Sequence, residues 1–280
     1  MVFGKRVKEE LPGGQKEGKI AMKRILLLAG EGNIPLLVYK KAQEEGEVLV
    51  LSSLSLSPPE GLEPDLWIDG LSLAQVLEIV QQEKITHICL AGKVPKNLVF
   101  EENVLHEELE RLFFSIPKWQ DQALLQAVLT KFQEKVELIS PLFFLKEYLT
   151  PPGKIAGRDP SPEEWKDISY GVRIARFLAD EEIGQTVVVK RGTVLALEGA
   201  EGTDETIKRG VSLGKEVVVV KMARSQQSFL IDIPAIGEKT VQCLKNGGII
   251  ALEAGKTFLL DRENIEEEAR NLGVGIVGIN

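Results

Sequence analysis

The amino-acid sequence predicts an α/β fold in two parts, a parallel-sheet domain followed by a mixed α/β domain. Three observations predict it. Apolar runs short enough for buried strands alternate with helical patterns from residue 22 to 148, the order that builds a parallel sheet covered on both faces. TPPGKIAGRDPSPEEW (150–165) then packs four prolines and two glycines into sixteen positions, marking an interdomain crossing. Beyond one helix the pattern turns to valine-rich strands separated by short helices. The expected boundaries are a disordered extension over 1–21, a Rossmann-like domain over 22–148, a linker over 149–165 and a C-terminal catalytic domain over 166–280.

KRILLLAG reads as the first strand, and Pro35 opens a helix that runs to Gly46. EVLVLSS is the second strand. LSLAQVLEIVQQEK places Leu73, Val76, Leu77 and Val80 on one helical face, and THICLAG is a third strand. EENVLHEELERLFF and DQALLQAVLTKFQEK read as further helices, with VELIS between the latter and PLFFLKEYL. In the second half, SPEEWKDISYGVRIARFLA is a helix with Pro162 in its first turn. TVVVKRGTVLALEG is two strands around Lys190-Arg191-Gly192, EVVVVKM and SFLIDI are further strands, and IIALEAGKTFLLD is a hairpin-like pair. VGIVGI closes the chain. TDETIKRGVSL, GEKTVQCLKNG and RENIEEEARNLG are the intervening helices.

The 280 residues carry a net charge of −8, which disfavours a nucleic-acid backbone as partner. An apolar content of 44% is enough for a sizeable core, yet no run approaches the ~18 apolar residues of a membrane span. The first 21 residues lack the apolar stretch of a secretory signal, and MKRILLLAG from Met22 reads as a second start. Cys89 and Cys243 lie in apolar segments and read as buried thiols of a reducing cytoplasm.

Chemistry-bearing residues fall into two groups. LAGEGNIP is a glycine-rich turn from strand to helix, where Gly30, Gly32 and Asn33 either make a tight turn or cradle an anion at the helix N-terminus. Pro35 stands where a dinucleotide fingerprint needs its third glycine. AGKVPKN ends another parallel strand at the same edge, where Lys93 and Lys96 either face that crevice or are solvated lysines of a loop. Asp121 reads as a helix cap or as a substrate contact.

The second group is acidic. Glu198, Glu201 and Asp204 follow one strand, Asp232 lies in the apolar run SFLIDIP, and Glu253 ends IIALE. An ionised carboxylate among aliphatic residues needs a partner. Oxygen ligands from separate strand ends suit Mg²⁺ or Mn²⁺, which gives Asp232, Asp204, Glu201 and Glu253 as metal candidates. The competing reading is Thr203 capping a helix with an acidic first turn, and it does not explain Asp232.

LLLAGEGNIP, LAGKV, DQALL, DISYG, the run from EEIGQ through EGTDE, VVVVKMA, DIPAIG, GGIIALEAGKTFLLD and GVGIVGI together resemble the LpxI family, UDP-2,3-diacylglucosamine pyrophosphatases of lipid A biosynthesis. The resemblance spans nearly all of 22–279. It implies a substrate held between two domains, Mg²⁺, and hydrolysis of a UDP-linked diacylated glucosamine lipid to UMP and 2,3-diacylglucosamine 1-phosphate (lipid X). It implies that Asp232 is the essential aspartate, as ligand or as water-activating base. Gly30, Gly32, Asn33, Lys93, Asp121 and Thr203 are then the expected substrate contacts. The resemblance further implies a cytoplasmic enzyme in transient contact with the inner-membrane surface, with a homodimer as a further partner state. The sequence departs from the family at Gln122, at Lys96 and in KMARSQQSF, where the alternative, a non-catalytic nucleotide-sugar or lipid-binding regulator of the same fold, finds its support.

Overall fold

The computed structural model describes residues 23–95, 111, 121–226, 229–230 and 233–280, with backbone alone at 121–126. The expected N-terminal extension and most of the helix expected over 101–114 lie outside the described residues.

The first sheet contains β1 (Lys23–Ala29), β2 (Gly46–Ser53), β3 (Leu66–Ile68), β4 (His87–Ala91) and β5 (Glu137–Leu138). Their order is β3-β2-β1-β4-β5, and every pairing is parallel. The continuous apolar run of β1 follows from this position. Ile25, Leu26 and Leu27 are all fully buried because both faces of the central strand are covered. One face packs against α1 (Ile34–Ala42) and α4 (Pro141–Phe144), through Val38 and Phe144 among others. The other face meets α2 (Leu73–Gln82) and α3 (Asp121–Gln133), through Val76, Val80 and Phe132. Ser72 caps α2 by accepting from the Gln75 N–H.

The second sheet has the order β6-β13-β11-β9-β7-β8. It comprises β6 (Gly153–Ala156), β7 (Thr186–Lys190), β8 (Thr193–Leu197), β9 (Val217–Lys221), β11 (Gly248–Glu253) and β13 (Val274–Ile279). Strands β9, β11 and β13 are parallel, while β6 and β7 pair antiparallel with their neighbours. Helix α5 (Pro162–Asp180) covers one face through Ile168 and Ala175. The opposite face carries α6 (Thr203–Leu213), α7 (Glu238–Gln242) and α8 (Arg262–Leu272), through Ile207, Val241 and Ile265. A capping box starts α5: Ser161 accepts from the Glu164 N–H, and Glu164 accepts from the Ser161 N–H.

Three expectations are corrected. The stretch read as a linker over 149–165 contributes β6, which pairs with β13 at the sheet edge, where a proline-flanked segment loses no interior ladder bonds. IIALEAGKTFLLD is not a hairpin. Its first half is central strand β11, while Phe258–Leu259 forms β12, which pairs parallel with β10 (Ala235–Ile236) in a separate two-stranded sheet. The described part of SFLIDI is not extended either: Phe229 and Leu230 lie in a turn.

The segment after that turn ties the two halves together. Phe229, Ile233, Ala235 and Phe258 share the apolar cluster that holds Ile25 and Leu27 of the first sheet. Ser140, which caps α4, donates its hydroxyl to the Phe229 carbonyl. The chain following β9 thus leaves its own sheet and packs on the neighbouring domain.

Candidate active site

In the order β3-β2-β1-β4-β5 the connections run in one direction from β1 through β2 to β3 and in the other through β4 to β5, so the switch lies between β1 and β4. Open α/β sheets bind ligands beyond the carboxyl ends of the strands at this point. Gly30, Gly32, Asn33 and Lys93 are there. The Gly30 N–H donates to the Ala91 carbonyl at 2.8 Å, and Glu31 and Lys93 exchange main-chain bonds of 2.8 and 2.9 Å. The two loops form one surface, as the sequence led us to expect. A Cβ on Gly30 would sit 2.5 Å from the Lys93 carbonyl oxygen. At Gly92 (φ +93°) it would sit 2.7 Å from that of Glu31. These glycines are required by loop-to-loop approach, whatever ligand lies above. Asn33 precedes α1 without its side chain capping the helix, and Pro35 in the first turn has no N–H to satisfy.

At the carboxyl edge of the second sheet the acids are dispersed. Glu198 is buried beside Lys221 (Oε2 to Nζ 4.0 Å) and accepts from the Thr203 hydroxyl at 3.0 Å and the Gln185 N–H at 3.1 Å. Lys221, only 4% exposed at the end of β9, donates to Thr203 at 2.7 Å. Burial pushes the Glu198 carboxyl up, but the Lys221 charge and these hydrogen bonds outweigh it and hold the group below its ordinary range. Glu253 ends β11 and meets Arg176 of α5 at 2.6 Å and Lys256 at 2.9 Å, and it also accepts from the Ala223 N–H at 2.9 Å. Its pKa too is lowered, the cationic partners and N–H donor overcoming desolvation.

Glu201 pairs with Arg209 at 2.5 Å, and Asp204 accepts from the Thr240 hydroxyl at 2.8 Å. Glu201, Asp204 and Glu253 thus have separate partners. Among the described residues no three His, Cys, Asp or Glu side chains converge as a metal site. Glu201 and Glu253 are instead each neutralised by an arginine from a neighbouring helix, Arg209 and Arg176. Asp232 lies outside the described residues, and so does the side chain of Asp121, which stands first in α3.

Sequence reasoning missed Lys221 and Arg176. The signal for Lys221 was a lysine ending the unbroken run VVVV, where only a buried partner could hold it. Arg176 had no local signal, since its partner is 77 residues away.

A model of the LpxI N-terminal domain matches residues 24–148, and a model of the LpxI C-terminal domain matches 151–277. The chain belongs to the LpxI family. The two matches meet at 148 and 151, where the chain passes from the first sheet to β6. The UDP-2,3-diacylglucosamine pyrophosphatase LpxI of Caulobacter vibrioides is 26% identical over 276 residues, covering 92% of this chain and 98% of that protein.

Proposed function

We propose that this chain hydrolyses UDP-2,3-diacylglucosamine to UMP and 2,3-diacylglucosamine 1-phosphate, the lipid X of lipid A biosynthesis. The observation that carries the reading is the unbroken match to both LpxI domains, together with a relative of that activity aligned over 98% of its length. Water adds across one P–O–P linkage, and each product leaves with one phosphate.

The surface of Gly30, Gly32, Asn33 and Lys93 suits the anionic nucleotide side of this substrate, because the Lys93 ammonium and the start of α1 favour negative charge there. Thr203, at the start of α6 beside Lys221, is the second substrate contact in this reading. Asp232 is its catalytic carboxylate.

Mg²⁺ or Mn²⁺ belongs to the proposal as the group that offsets phosphate charge. Glu201 and Glu253 do not fit as its ligands, since an arginine engages the first and an arginine and a lysine the second. Asp204, which accepts from the neutral Thr240 hydroxyl, and Asp232 are the remaining carboxylates for it.

Two acyl chains on the substrate imply contact with a membrane surface from the cytoplasmic side, by an enzyme acting alone or as a homodimer. Among the described residues no helix is long and apolar enough to cross a membrane. In PLFFLKEYL, Phe144 and Leu145 are core residues while Phe143 is exposed; Trp165 and Phe177 are exposed on α5. These aromatic side chains are the described candidates for touching lipid.

The test is incubation with the UDP-lipid and Mg²⁺, with and without a chelator. UMP and the sugar 1-phosphate should appear in equal amounts, and chelation should stop them. Tight binding of the UDP-lipid without UMP release would instead support the regulator reading.

A further inference from the structure

The chain leaving β9 is gripped before it reaches Asp232. Ala223 is fully buried, and both of its main-chain polar groups are taken by one ion pair. Its N–H donates to Glu253 Oε2 at 2.9 Å, and its carbonyl accepts from Arg176 Nη1 at 2.5 Å. The pair is closed by Arg176 Nη2 to Glu253 Oε1 at 2.6 Å. Two residues on, Ser225 gives both its N–H and its hydroxyl to the Asp180 carboxylate, at 2.7 and 2.8 Å, one helical turn beyond Arg176 on α5. The far side of the segment is held as well: the Pro234 carbonyl accepts from the Phe258 N–H at 2.7 Å, and β10 pairs with β12.

We propose that Arg176 and Glu253 act as positioning residues, fixing through Ala223 the direction in which the Asp232-bearing segment departs from the second sheet. This rests on the reading of Asp232 as the catalytic carboxylate. A buried ion pair is poor evidence of stabilisation, because apolar side chains of the same volume fold a core equally well. An ion pair does differ from them in direction. A guanidinium bridging a carbonyl and a carboxylate, with that carboxylate accepting an N–H, holds these groups at fixed angles, which apolar contacts cannot do. A segment that must cross from one domain to the other and present one group to a substrate needs that directional hold, since small displacements of a reacting group lower rate steeply. The Glu253 carboxylate, expected from the sequence to bind metal, then serves the site without touching the substrate.

The test compares Arg176→Lys, Glu253→Gln and the double variant Arg176→Met/Glu253→Leu with wild type, in the full chain. The measurements are thermal midpoint, kcat and KM for the UDP-lipid. The single variants should lose at least tenfold in kcat with KM changed less than threefold. The double variant removes the buried carboxylate and its half-buried partner together, so its midpoint should exceed that of Arg176→Lys or Glu253→Gln while kcat stays low. Recovery of kcat along with the midpoint would overturn the proposal, and so would wild-type kcat in a folded Arg176→Lys. Should the single variants fail to fold, the double variant decides by the same criterion. Failure of the underlying reading looks different: wild type would release no UMP, or Asp232→Asn would retain full activity.

Discussion

The carboxyl edges of the two sheets are built by opposite means. The first uses backbone: glycines let the β1 and β4 loops close on each other, and α1 starts there without a side-chain cap. The second uses charge: Glu198 with Lys221, and Glu253 with Arg176 and Lys256, are buried or half-buried ion pairs at the strand ends. A backbone cradle tolerates many side chains provided its glycines remain. A charged edge depends on partners that must all be present at once. The two should therefore fail differently, and by different amounts.

The largest stability effect belongs to the charged edge. Lys221→Met leaves Glu198 buried with its cation removed, and should cost about 3–5 kcal/mol in urea unfolding. Adding Glu198→Met should restore much of it. If Lys221→Met alone costs nothing, the second edge is not held by charge. The first edge is tested by Gly30→Ala, whose new methyl would meet the Lys93 carbonyl. A destabilisation of about 1–3 kcal/mol is expected from overpacking of this kind. The same variant should also raise KM for the UDP-lipid, because it separates the two loops that form the nucleotide surface; an unchanged KM would move the nucleotide elsewhere.

A smaller effect is expected at the start of α5, outside both edges. There the Arg158 guanidinium, with the cap hydrogen bonds of Ser161, holds the Glu164 carboxyl down at about 2. This pair is half exposed, so Glu164→Gln should cost only about 1 kcal/mol. Its pH dependence has a definite sign. A carboxylate whose folded pKa is depressed contributes stability above its unfolded pKa and loses it as pH falls toward the folded one. Glu164, Glu198 and Glu253 are all depressed, so stability should fall as pH drops from about 4.5 toward 2, with little change near neutrality. Acid titration followed by circular dichroism checks this, and Glu164→Gln should flatten the lower part of the curve.

The contrast also explains what could be read from the chain alone. The first edge was legible because its determinants are local: LAGEGNIP and LAGKV each show strand, glycine and turn within ten residues, and parallel-sheet logic places them together. The second was only half legible. Its acids are visible at strand ends, but the arginines and the lysine that claim them come from α5, α6 and β9, so the same carboxylates resembled a metal site. Strands β10 and β12, of two residues each, were missed or misjoined because so short a pair is set by tertiary packing against the neighbouring domain rather than by its own pattern. The proline-rich stretch does hold the passage between the two domain matches, and it also forms an edge strand, since prolines suit a sheet edge as readily as a hinge.

The most direct test of the central claim is UMP release from UDP-2,3-diacylglucosamine by Asp232→Asn, measured beside its circular dichroism and thermal midpoint. The account predicts a folded protein with a wild-type midpoint and a loss of activity of a thousandfold or more, to about the level expected when a group acting directly on the reacting atoms is removed. A folded Asp232→Asn that releases UMP at the wild-type rate would contradict it.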